Sequence, residues 1–327
     1  MSYSHLLVCC LLLLGGRLCA QTELDVVLVG PDVPQALEKD WKERETQVYS
    51  GSIKQLDSEK LILIDDQQRT RTIPSRRVEE VTPVWAKPDV VGPARELLLT
   101  GKYGEAFRAL DEAWKSGIPQ WQQRLVIAEL VQALVASGNT KFACIYFSRL
   151  VDTNPPSLVY ADMPLCWTTR QVPAELRQQV EEWLSSDKEP ELLMAASWLL
   201  SERREEARAK LVQLQRSENK ILAQLAVAQS WRLSTPPETM AQFPKWQEFR
   251  EKLIPPLRIG PTEFMADRLM RIGEPELAVA QWMRVAAEHA DKHFRAVKAL
   301  ENAKQLLQRE GEGEEVRRLE KWIENLK

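Results

Sequence analysis

The distribution of apolar positions changes character partway along the chain. Over residues 22–84 they come in short runs or alternate with polar positions, the period of strands, whose successive side chains face opposite ways. Residues 24–29 (LDVVLV) are β-branched and apolar, and residues 47–56 (QVYSGSIKQL) alternate through Val48 and Ile53, with Gly51 at an expected bend or bulge. Asp57-Ser58 supplies turn chemistry, residues 61–64 (LILI) read as a short buried strand, and residues 70–73 resume alternation after a polar turn. Pro74-Ser75 interrupts the pattern and residues 78–82 give a last strand. Five short strands in about 60 residues predict a small barrel, since closure removes exposed edges. Residues 33–44 are polar and predict an inserted helix or loop.

Pro83 and Pro88 oppose both helix interiors and central strands, and they predict a linker, placed at residues 85–93. From about residue 94 to 327 apolar residues recur three and four apart, the period of amphipathic helices. Leu125, Ala128, Glu129, Val131, Gln132 and Val135 form one apolar stripe with polar interruptions. Four segments repeat a turn followed five residues later by alanine: Gly101 with Ala106, Gly138 with Ala143, Glu202 with Ala207 and Gly273 with Ala278. The turn ends one helix and the alanine lets the next approach closely. Thr169 (Ala174 five later) and Pro236 (Ala241 five later) are weaker turns, and Gly311 opens a last unit. The pairs Pro155-Pro156, Pro236-Pro237 and Pro255-Pro256 predict irregularity in the array.

The spacing of these turns, with Gly101-Lys102-Tyr103-Gly104-Glu105-Ala106 as its best-preserved copy, resembles the tetratricopeptide repeat, a helix–turn–helix unit of about 34 residues. The strand-rich region, through Tyr49-Ser50-Gly51-Ser52-Ile53, Leu61-Ile62-Leu63, Thr72-Ile73-Pro74 and Val78-Glu79-Glu80-Val81, resembles small SH3-like or Sm-like barrels. The two resemblances imply a mainly α fold: an α-solenoid of tetratricopeptide-like repeats over residues 94–327, preceded by a small β-barrel over residues 22–84. They also imply protein or peptide binding. The charged peptide-clamp residues of the repeat family have no match here, and no catalytic residue carries over from the barrels.

Residues 6–14 (LLVCCLLLL) are nine consecutive apolar residues, followed by Gly15, Gly16 and Leu18-Cys19-Ala20. The run is shorter than the roughly 20 residues a bilayer span needs and reads as a secretory signal peptide over residues 1–20, cleaved after Ala20. Lipid attachment at Cys19 and retention of the segment are the alternatives. Cleavage would leave Cys144 and Cys166 as the remaining cysteines, with no membrane span in the mature chain. Export to a periplasmic or extracellular space favours a disulfide between them; otherwise both act as small buried hydrophobes.

Charge is balanced, with 44 Lys+Arg against 47 Asp+Glu, which excludes the basic footprint of a dedicated nucleic-acid binder. Only 3 histidines occur, and His289 and His293 stand four apart, a metal-pair spacing on one helix face, but the Glu of a metalloprotease motif is missing after His289 and the pair reads as a solvated face rather than a metal site. Arg69, Arg71, Arg76 and Arg77 form a basic cluster, either solvated or directed at an anionic partner. Trp114, Trp183, Trp198, Trp231 and Trp282 sit among apolar neighbours, as core or as anchors in a groove. No phosphate loop, nucleophile elbow or paired-cysteine zinc motif occurs, and no cofactor is expected. The expectation is an exported, non-enzymatic protein-binding or scaffold protein of the cell envelope. The alternative is an envelope ligand-binding or enzyme-associated protein with a pocket between barrel and repeat array.

Overall fold

The computed structural model describes residues 24–31, 46–168 and 170–326. The expected signal segment, the polar insertion at 33–44 and the weak turn at Thr169 lie outside the described residues. The chain is mainly α; among the described residues a small antiparallel sheet is followed by thirteen α-helices.

The strands are β1 (Asp25–Val29), β2 (Gln47–Leu56), β3 (Lys60–Asp65), β4 (Thr70–Pro74) and β5 (Val78–Thr82), ordered β4-β3-β2-β1-β5. Alternation delivers Val27, Val29, Leu61 and Leu63 to one buried face. In β2 the register shifts between Ile53 and Gln55, so Lys54 is the bulged position. That extra residue resets the phase and lets both Ile53 and Leu56 reach the core. Gly51, where the bulge was expected, pairs regularly; it is required instead because a Cβ there would lie 2.3 Å from the Ile64 carbonyl oxygen.

The expected closed barrel does not form. β4 and β5 are the two edges of an open sheet, and a single 3₁₀ turn (Ser75–Arg77), entered from Pro74, carries the chain from one edge to the other. The 3₁₀ segment Ser157–Asp162 packs on β5, and Ser157 N–H donates to Ser75 Oγ over 3.3 Å. A piece of the helical region thus packs on one of the two edge strands of the open sheet.

The helices are α1 (Pro88–Leu99), α2 (Tyr103–Lys115), α3 (Gln120–Ala136), α4 (Thr140–Val151), α5 (Ala174–Trp183), α6 (Glu189–Leu199), α7 (Arg204–Leu214) and α8 (Lys220–Ser230), then α9 (Pro236–Lys252), α10 (Ile259–Arg271), α11 (Pro275–Glu288), α12 (His293–Glu310) and α13 (Gly313–Leu326). α1 begins inside the stretch read as a linker, with Pro88 at the first helical position, where its missing N–H costs nothing. Gly101, Gly138, Gly273 and Gly311 each separate consecutive helices with φ between 75° and 87°, a conformation that favours glycine. Glu202 lies in the α6–α7 turn, and Ala106, Ala143, Ala207 and Ala278 are all fully buried. Pro236 is different: it starts α9 behind a Thr235–Glu238 capping box, and Ala241 is exposed.

Consecutive helices pack on one another from α1 to α8 and again from α9 to α13. The sheet shares one apolar cluster with the first group, and a second cluster runs from Ala228 to Ile323. Trp167 and Phe249 pack against both. Arg124, 6% exposed, ties sheet to helices by donating to the Leu56 carbonyl of β2 and the Thr153 carbonyl after α4. Two proline pairs mark where the array departs from hairpins: Pro155-Pro156 leads into Ser157–Asp162, and Pro255-Pro256 opens the 3₁₀ segment Pro255–Arg258. These two segments turn inward and pack against each other. No described helix is long and apolar enough to cross a membrane.

Candidate functional site

The inward segments leave two adjoining cavities of about 250 Å³ and about 180 Å³. Gln132, Asp162 and Phe294 line both, so the cavities form one groove. One wall is α3, which contributes Leu125, Ala128, Glu129, Gln132 and Val135 at the spacing of a single helix face. These are the polar-interrupted positions of the stripe read from the sequence. The facing wall is α12, through Phe294, Arg295, Lys298 and Asn302. The larger cavity is closed on a third side by β5 and on a fourth by Pro255 and Pro256.

Charge-assisted contacts between residues far apart in sequence anchor the α12 wall. Lys292 Nζ donates to Asp162 Oδ2 over 2.8 Å, and Arg295 donates to both Glu263 oxygens over 2.8 and 2.5 Å and to the Ala161 carbonyl over 3.0 Å. Tyr103 meets Phe294 edge-to-face with centroids 5.5 Å apart. α12 and the turn before it therefore rest on the segment that follows Pro155-Pro156, and Phe294 of α12 reaches Tyr103 of α2.

The larger cavity is strongly acidic. Glu79, Glu80, Glu129, Asp162, Glu288 and Asp291 line it, against Arg95 and Lys292 as cations. Burial pushes the Glu129 carboxyl up despite Arg95, whose Nε lies 2.8 Å from Oε1. Burial likewise pushes Asp162 up against the opposing pull of Lys292. Lys292 is itself held above its ordinary value: burial lowers it, but Asp162 and Asp291 outweigh that cost. His289, 4% exposed, is pushed by burial down to about 3 and is a neutral imidazole at physiological pH.

His289 and His293 do not share a helix face. The helix ends at Glu288 with His289 as its cap, and His293 begins the next helix. The break separates the expected pair and buries His289 instead of solvating it. Among the described residues no group of three His, Cys, Asp or Glu is arranged to hold a metal. Cys144 and Cys166 are separate, fully buried thiols outside the groove; the Cys166 thiol donates to the Thr168 carbonyl over 3.0 Å, and Arg232 Nη2 lies 3.7 Å from its sulfur. Burial pushes the Cys144 thiol up, the opposite of what a nucleophile needs. Of the basic cluster, Arg69 and Arg71 are both turned onto Asp65, over 2.9 and 3.1 Å. Trp198, Trp231 and Trp282 are core, and Trp282 also lines the smaller cavity.

Comparison with protein-family models, with curated proteins and with solved structures gave no match.

Proposed function

We propose that this chain is an exported, non-enzymatic binding protein that presents the groove between α3 and α12 to a segment of a partner protein or peptide. One observation carries the reading: the groove has walls from α3 and α12, residues far apart in the chain, and the α12 wall is braced against Ser157–Asp162 and α10 by enclosed charge contacts. Such bracing keeps a concave surface pre-formed, which lowers the entropic cost of taking up an extended segment. The turns at Gly101, Gly138, Glu202 and Gly273 with their buried alanines support a tetratricopeptide-like array, and the β4-β3-β2-β1-β5 order supports kinship with SH3-like sheets. Export rests on residues 6–20; protein from its native cells should begin at or near Gln21 on N-terminal sequencing, and an intact Met1 would reject it.

The binding reading is tested by photo-crosslinking. A photoreactive residue at Val135, in the groove, should capture partner proteins in native cells. The same residue at exposed Phe142, which does not line the groove, should capture none of them. Capture confined to position 142 would overturn the assignment of the groove. The position of the larger cavity, between β5 and the helices, favours a second reading, a small-ligand site joining the sheet to the array.

A further inference from the structure

Native proteins seldom leave buried polar atoms without a partner. Here such atoms occur on residues lining the larger cavity, among them Trp85 Nε1, Glu129 Oε2, Asp162 Oδ1 and His289 Nε2. Asp162 and His289 are 6% and 4% exposed. Each carboxylate has one oxygen committed, Glu129 to Arg95 and Asp162 to Lys292, and one left over. Two spare carboxyl oxygens and a neutral imidazole nitrogen, on residues lining a cavity whose carboxylates outnumber its cations, call for a compact donor bearing positive charge.

Size agrees with that requirement. A dry cavity of about 150 Å³ holds a benzene ring, so about 250 Å³ accommodates an alkyl chain of several carbons with its head group. The lining also supplies apolar surface for the chain, from Leu28, Leu98, Leu125 and Leu158. An ammonium offers three N–H donors on a flexible stem, matching spare acceptors that lie on two different elements. Guanidinium is planar and suits a bidentate carboxylate, whereas each carboxylate here has a single spare oxygen.

We infer that the cavity between β5, α3 and the start of α12 is a site for a primary alkylammonium group, satisfied by Glu129 and Asp162 with His289 beside them. The inference rests on the reading of the groove as the binding surface and names the chemistry of what enters it. A lysine side chain of a partner and a free alkylamine share that chemistry.

The test uses the full-length protein and isothermal titration with three probes: Nα-acetyl-lysine methylamide, 1,4-diaminobutane and Nα-acetyl-norleucine methylamide, which replaces the ammonium by a methyl group. Saturable binding of at least one of the two amines is expected, with the norleucine probe at least tenfold weaker. Tighter binding of the lysine probe assigns the site to a protein side chain, and tighter binding of the diamine to a free amine. Glu129→Gln, which keeps shape and removes charge, should weaken the bound amine at least tenfold. If neither amine binds the wild-type chain, or norleucine binds equally well, the ammonium assignment is overturned without recourse to any variant. Crosslinking at Val135 is independent: capture of partners there with no amine binding would leave the groove standing as a protein-binding surface and reject only its ligand chemistry.

Discussion

His289 carries a pH dependence of known sign. Burial is the largest influence on it; Glu288 raises its pKa, while Arg295, Arg250 and Lys292 lower it, and the result is about 3. The folded value lies below the ordinary 6.5, so the unfolded chain takes up the proton first. The stabilisation is therefore complete above about pH 6.5 and is lost as pH falls toward about 3, with a slope of at most about 1.4 kcal/mol per pH unit. Glu129 and Asp162 are shifted upward and oppose this slope at its acid end, so the difference between two chains is the quantity to read. Urea midpoints should fall from pH 7.5 to 4.5, and His289→Gln should flatten the fall; parallel profiles would clear His289 of the effect. Packing gives a second residue-scale contrast. Ala106 is fully buried where α2 approaches α1, while Lys102 is exposed beside the turn. Ala106→Phe should cost about 1–3 kcal/mol or more. Lys102→Ala should stay within about 0.5 kcal/mol, and equal losses in denaturant would contradict this packing.

Between elements, the contact of α10 with Trp167 depends on one missing methyl. A Cβ on Gly260 would lie 2.2 Å from Trp167 Cε2. Trp167 also joins the two apolar clusters, so displacing it loosens the seam between the halves of the array. Gly260→Ala should destabilise by about 1–3 kcal/mol, and most of that cost should vanish when Trp167→Leu makes room. Gly104→Ala provides the comparison: nothing lies within 4 Å of its Cβ position inside α2. That change should stabilise by about 0.5–1 kcal/mol through helix propensity. A full loss that persists in the double variant would mean that Gly260 is required for a reason other than Trp167.

Across the whole molecule, α12 and the turn before it are tied to Ser157–Asp162 and to α10 by two ion pairs that are largely enclosed. Lys292 and Asp162 are 13% and 1% exposed, and Arg295 and Glu263 are 19% and 26% exposed. Pairs so enclosed leave an uncompensated charge when one partner is removed, which typically costs about 3–5 kcal/mol. Lys292→Ala with Arg295→Ala should raise hydrogen exchange together in residues 157–168 and in α12, and should widen the small-angle scattering profile. Arg318 and Glu314 form an ion pair on α13 but are 70% and 64% exposed. Arg318→Ala should change stability by less than about 0.5 kcal/mol, because solvent screens such pairs. Exchange rising in α12 alone would show that the two segments are not coupled.

Much of this architecture follows from local sequence. Periods of two and of three-to-four residues separate sheet from helices. Gly101, Gly138, Gly273 and Gly311 mark turns because only glycine adopts their positive φ freely, and Pro155-Pro156 and Pro255-Pro256 mark where hairpins stop. One hint of the groove was also local: Glu129 and Gln132 interrupt an otherwise apolar face of α3, and both line it. Other features depend on partners remote in sequence. The packing of Ser157–Asp162 on β5, about 75 residues beyond that strand, could not be read from either segment alone. His289 and His293 have a helical spacing, but a break at Glu288 separates them and burial removes the charge of His289. Asp162, Glu263, Lys292 and Arg295 carry no recognisable spacing at all. They meet only because the inward-turned segment Ser157–Asp162 and the neighbouring helices α10 and α12 come within hydrogen-bonding distance, where burial makes each charge depend on its partner.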